Sequence, residues 1–105
     1  MIAKRFRLPA RQIKKTFRSG RKCGEEYLQI YSFPRHGQPR FAIIVSTKVA
    51  KGAVLRNRMK RLCRATIIEN FPRTSADFVI VVKKNFINKE PEAKAELKEC
   101  LSKTS

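Results

Sequence analysis

Two short runs are apolar at every position: FAIIV at 41–45 and FVIVV at 78–82. Neither approaches the ~20 residues of a membrane span. Each reads instead as a strand covered on both faces. In RFAIIVS (40–46), Phe41, Ile43 and Val45 fall on one face, and Ala42 and Ile44 on the other. That pattern predicts an inner strand. ADFVIVVKK (76–84) predicts the second strand. Between them, residues from about Ala53 to about Asn70 have helical periodicity. A strand, a helix and a strand in that order predict a parallel pair joined by the helix.

The remaining elements follow from local signals. In LPARQIKKTFRSG (8–20), Pro9 suits a first helical turn and Gly20 the left-handed position after the last. Ala10, Ile13 and Phe17 make the apolar stripe of this helix. EEYLQIYSF (25–33) alternates as a strand, with Leu28 and Ile30 on one side. Its other side carries Tyr27, Gln29, Tyr31 and Phe33. PRHGQP (34–39) is turn chemistry and predicts an antiparallel hairpin between 25–33 and 40–46. EPEAKAELKECLS (90–102) predicts a helix with Ala93, Leu97, Cys100 and Leu101 against the sheet. The expected order is α-β-β-α-β-α, with an extra short strand left open. The expected class is α/β (α+β), a two-layer sandwich with a mixed sheet, in one domain over 1–105.

The charge bears on function. The chain has 25 Lys and Arg against 8 Asp and Glu, a formal +17. Nine basic residues and no acid lie in 1–22; seven and no acid lie in 47–64. Solvated faces normally mix signs, so two single-sign segments read as a footprint for a polyanion. The second holds AVLRNRMKRLCR (53–64), where five of twelve residues are basic. At ~100° per residue, Arg56, Asn57, Lys60, Arg61 and Arg64 share an arc of ~140°. Val54, Leu55, Met59, Leu62, Cys63, Ala65 and Thr66 fill the opposite side, and Arg58 projects from it. Ile67, Ile68 and Phe71 fall back on the charged arc, which predicts a last turn facing inward.

Catalysis by the chain itself is not expected. The one histidine, His36, sits in a turn, and no paired carboxylates or phosphate-binding glycine loop are visible. Cys23, Cys63 and Cys100 lack zinc spacing. Their odd number, with no apolar signal peptide near the start, predicts reduced cysteines and a cytoplasmic location. What the residues can do is hold phosphate through arginine forks. Asn57 adds an amide for a base edge or a ribose hydroxyl. The Tyr27–Phe33 face suits stacking of unpaired bases or packing under the first helix.

KGAVLRNRMKRLCR resembles the signature of the bacterial ribonuclease P protein family: Ala53-Val54, Arg56-Asn57-Arg58, Lys60-Arg61 and Arg64. Arg7-Leu8, Phe17 to Gly20, Tyr31, Ser46, Lys48 and Asp77 agree in order, so the likeness covers 7–84. The resemblance implies a left-handed crossover between the parallel strands. It implies binding of a catalytic RNA, one RNA to one protein, through Lys48, Lys51, Arg56, Asn57, Arg58, Lys60, Arg61 and Arg64. It implies a cleft for the single-stranded 5′ leader of precursor tRNA, with Ile13, Phe17 and Tyr31 in it; Tyr27 joins them by its place on the aromatic face. The RNA, with Mg²⁺, would perform the hydrolysis, and no metal would be held by protein side chains. Two departures stand out: VAKGAV is one residue longer than the family's usual turn, and Ile13 stands where an aromatic is common.

Composition alone fits two further readings. One is a small ribosomal or general RNA-binding protein without enzymatic role. The other is a sequence-neutral DNA-binding protein. A cationic membrane binder would need a long hydrophobic face that the basic helix does not offer. No small-molecule substrate is implied.

Overall fold

A computed structural model describes residues 6–24, 26–72 and 75–103. Their order is α1 (Ala10–Ser19), β1 (Arg21–Cys23), β2 (Leu28–Pro34), β3 (Arg40–Val45), α2 (Ala53–Glu69), β4 (Ala76–Val82) and α3 (Glu90–Lys103). This is the expected α+β order with the extra short strand, β1, after the first helix. The strands form one mixed sheet in the order β1-β2-β4-β3.

β4 takes the centre. It pairs antiparallel with β2 and parallel with β3, and α2 makes the expected connection between the parallel strands. The expected β2–β3 hairpin does not form, because β4 lies between its two members. All but one of the seven β4 residues are buried, so its backbone groups need partners on both edges. β3 is therefore an edge strand rather than an inner one, and Ala42, Ile43 and Ile44 are only half-buried. The segment before α1 lies against that edge: Arg7 bridges to Phe41, and Leu8 N–H donates to Phe41 O at 2.8 Å.

Strand periodicity divides the sheet into two faces. Leu28, Ile30, Phe41, Val45, Phe78, Ile80 and Val82 form the main core with α2 and α3. α3 supplies Ala93, Leu97, Cys100 and Leu101, as its stripe predicts. Glu96 of α3 also accepts the Tyr27 N–H at 3.0 Å, which fixes the entry into β2. The opposite face, including buried Val79, lies under α1, which packs on β2 and β4.

α1 is seated by Thr16 rather than by the whole predicted stripe. Thr16 is buried, Ile13 and Phe17 are half-buried, and Ala10 is exposed. Gly20 follows with an ordinary φ of −78°, not the predicted left-handed one. What demands glycine is proximity: a Cβ there would stand 2.8 Å from Ser32 O of β2.

α2 is phased differently from its hydrophobicity. Met59, Cys63, Thr66 and Ile67 are buried, at i, i+4, i+7 and i+8. Val54, Leu55 and Ala65 were expected on the core side and are exposed, Val54 at 82%. The first turn of α2 stands clear of the core, so its apolar residues have nothing to pack on. At the other end Ile67 turns inward as expected, whereas Ile68 is 50% exposed. Phe71 is partly exposed, with its ring centroid 5.7 Å from that of Phe41.

The cysteines correct the expectation of three free thiols. Cys23 of β1 and Cys100 of α3 form a disulfide, with Cα atoms 5.8 Å apart. Sequence spacing carries no sign of this pair; the meeting of an edge strand with α3 creates it. Cys63 is free and buried, and burial pushes its thiol up to about 12.

Asp77 of β4 is buried and accepts two hydrogen bonds from Arg40 of β3, from Nε and Nη2, each at 2.8 Å. These bonds push the Arg40 guanidinium pKa upward. Removing Asp77 leaves the half-buried Arg40, and Arg35 at 3.8 Å, without their counter-charge. Asp77→Ala should cost about 3 kcal/mol of unfolding free energy. The double variant Asp77→Ala, Arg40→Met should cost less than Asp77→Ala alone. Urea denaturation measures both. A single-variant loss below about 1 kcal/mol would assign this pair the weight of an ordinary surface bridge.

Candidate nucleic-acid interface

The predicted ridge residues do not all serve one purpose. Arg56 is half-buried and turns back: its Nη1 donates to Ala50 O at 2.9 Å and Lys51 O at 2.7 Å. It thereby holds the turn before α2, on which Lys48 and Lys51 are exposed. Arg58 points to the other flank, where its Nη2 lies 3.2 Å from Glu90 Oε1 at the start of α3. The hydrophobic side from which Arg58 was seen to project is thus the side facing α3.

Asn57 and Arg61 are exposed, and Lys60 and Arg64 are half-buried beside them. Among the described residues, none of Lys48, Lys51, Lys60, Arg61 and Arg64 has a carboxylate at ion-pair distance. The acids that lie near basic residues are committed elsewhere. Like charges held this close on one helix repel unless a polyanion lies over them. Val54, Arg61 and Ile68 fall on one line of the outer face, at i, i+7 and i+14. This line sets the Arg61 guanidinium between two exposed aliphatic side chains.

The second surface lies on the other face of the sheet. Phe17 of α1 meets Tyr31 of β2 edge to face, with ring centroids 4.7 Å apart. Ile13, one turn earlier on α1, is half-buried. Tyr27 does not join them; it precedes β2 and packs against the main core. Two cations that the sequence reading did not single out belong here. Lys15 Nζ stands 5.0 Å from the Phe33 ring centroid, and Lys22 Nζ stands 5.7 Å from that of Tyr31. Lys22 is opposite Tyr31 in the β1–β2 register, a pairing that no local pattern announces. The result is an aromatic row on β2 with α1 as one wall and a lysine beside each ring.

No three His, Cys, Asp or Glu side chains among the described residues group as a metal site. No helix among them is long and apolar enough to cross a membrane. His36 is exposed in its turn.

A family model described as Ribonuclease P matches residues 3–105. The ribonuclease P protein component of Lactobacillus gasseri is 34% identical over 77 residues, covering 70% of this chain and 63% of that protein. The chain therefore spans under two thirds of that relative's length. The ribonuclease P protein component of a Cyanothece species is 32% identical over 103 residues, covering 79% of each. The solved ribonuclease P protein of Thermotoga maritima superposes with a TM-score of 0.82 at 21% identity, covering 94% of this chain and 97% of that one. The sheet order and helix placement are thus shared well beyond the level of sequence identity.

Each lysine or arginine that contacts a phosphate contributes about 0.7–0.9 to the salt slope of binding. Replacing Lys60, Arg61 and Arg64 together by Gln should lower the slope of log K against log salt by about 2. The thermal midpoint should hold or rise, since repulsion on α2 is relieved. An unchanged slope with structured RNA would place the binding surface elsewhere.

Proposed function

Since the chain belongs to the ribonuclease P protein family, we propose that it is the protein subunit of the ribonucleoprotein endoribonuclease that removes the 5′ leader of precursor tRNA. One observation carries this reading. A basic ridge on α2 without carboxylate partners among the described residues and an aromatic row on β2 beside α1 lie on opposite faces of one sheet. Both can be occupied at once.

The ridge binds the catalytic RNA. Arg61, Lys60 and Arg64 neutralise phosphates, Asn57 offers donor and acceptor to a base edge or ribose, and Lys48 and Lys51 extend the contact. Arg56 acts on the turn rather than on RNA, and Arg58 shares itself with Glu90. The cleft holds the single-stranded leader. Tyr31 and Phe17 present ring surface to unpaired bases, while Lys15 and Lys22 stand where the intervening phosphates would run. Ile13 adds apolar contact.

Mg²⁺ supplies the metal chemistry of hydrolysis when bound to the RNA and substrate. The chain's own work is to bind, orient and screen charge. One RNA to one protein, in the cytoplasm, completes the reading.

The two surfaces should separate in a binding experiment. Tyr31→Ala should raise the Kd of the assembled enzyme for leader-bearing precursor about 10-fold, from the loss of one stacking contact. Its affinity for the catalytic RNA should hold. The Lys60, Arg61 and Arg64 substitutions should do the reverse. Equal losses in both assays for both variants would contradict the division. Binding to bulk RNA as tight as to the catalytic RNA would favour a general RNA-binding protein.

A further inference from the structure

The disulfide has no part in the function proposed above, and it lies one residue along β1 from Lys22, on the opposite face of the sheet. Cys23 ends β1, an edge strand of three residues whose sheet neighbour is β2. Alternation along β1 sends successive side chains to opposite faces. Cys23 meets Cys100 of α3 on one face; Lys22 stands over Tyr31 on the other. The chain reverses immediately afterwards at Gly24, with φ of +140°, where a Cβ would stand 2.9 Å from Gln29 Cα. So short a strand relies on its pairing with β2 and on this bond to stay in register.

A groove of about 590 Å³ lies beside the bond, lined by Cys23, Cys100, Arg21, Lys103, Glu96 and Glu99 among others. Glu96 is taken by the backbone N–H of Tyr27, and Glu99 pairs with Lys103 at 3.2 Å. Arg21, exposed at the rim, suits the carboxylate of a small anionic thiol. Cys63 does not compete, since burial keeps its thiol protonated.

We propose that Cys23 and Cys100 are a reversible thiol–disulfide site, exchanging with an anionic low-molecular-weight disulfide such as glutathione disulfide, whose oxidised state holds β1 and thereby Lys22 over the leader cleft. This rests on the cleft reading given above. A reducing cytoplasm makes such a pair a responsive element rather than a permanent staple. The exchange runs in two displacements. One cysteine thiolate attacks a sulfur of the small disulfide, breaks its S–S bond and releases one small thiolate. The second cysteine thiolate attacks the protein sulfur of the mixed disulfide, closes Cys23–Cys100 and releases the other. Two electrons pass from the cysteines to the small disulfide, and the two protons end on the two released thiols. Two small thiols reverse it.

The test uses the full chain assembled with ribonuclease P RNA, in buffers of reduced or oxidised glutathione. Binding of leader-bearing precursor and of mature tRNA is measured, with free thiols counted in parallel. The oxidised wild type should bind precursor roughly two- to five-fold tighter than the reduced one, the size of one exposed ion pair between Lys22 and a leader phosphate. Mature tRNA should bind alike in both. Cys23→Ser should match the reduced wild type in either buffer. Lys22→Ala should keep the disulfide but lose the difference. Three free thiols in the oxidised buffer would overturn the proposal. So would equal precursor affinity in both states with the bond forming and breaking. A leader that adds no affinity in either state would contradict the cleft reading itself, and this proposal with it.

Discussion

Strand β4 is buried at six of its seven positions, and side chains on both of its faces are covered. Such a strand cannot stand at an edge or present one face to water. It needs a neighbour on each side and a helical layer above and below. β2 and β3 supply the first need; α2 with α3, and α1, supply the second. The two candidate nucleic-acid surfaces follow from that constraint. α2 is anchored on one layer and shows its outer side to solvent, while α1 is anchored on the other and walls the aromatic row of β2. Neither surface has to yield for the other to be filled.

The few acids decide which of the many basic residues are structural. Asp77 holds Arg40 and lies 3.8 Å from Arg35, Glu90 holds Arg58, and Glu26 holds Lys84. Arg56 is held without an acid, by two carbonyl oxygens. Lys60, Arg61 and Arg64 have none of these attachments among the described residues. A net charge of +17 thus divides into a portion engaged within the fold and a portion on α2 with no carboxylate at ion-pair distance among the described residues. The second portion costs stability through self-repulsion unless a polyanion neutralises it.

Much of this was legible in the chain because its signals are local. Uniformly apolar runs marked β3 and β4, helical spacing marked α2 and α3, and single-sign charge marked the ridge. Features that depend on which elements meet were not legible. A turn between 34 and 39 reads as a hairpin whether or not a third strand enters between its arms. Val54 and Leu55 look like core residues to any periodicity, because periodicity does not know where the sheet ends. Gly20 looks like a left-handed cap and is needed for its closeness to β2. The Lys22–Tyr31 pairing and the Cys23–Cys100 bond join residues through strand register and the meeting of β1 with α3, and the Arg56 contacts depend on how the turn before α2 folds back. Of the expected cleft residues, Phe17 and Tyr31 meet and Tyr27 does not join them, because Tyr27 lies before β2 and packs, half-buried, against the main core.

The most direct measurement is cleavage of a precursor tRNA by a bacterial ribonuclease P RNA at low, near-physiological Mg²⁺, with and without this chain. Phosphate repulsion is poorly screened under those conditions, so the RNA alone should be nearly inactive. Adding the chain should restore cleavage at the correct 5′ position. No restoration, together with binding to that RNA no tighter than to bulk RNA, would contradict the assignment.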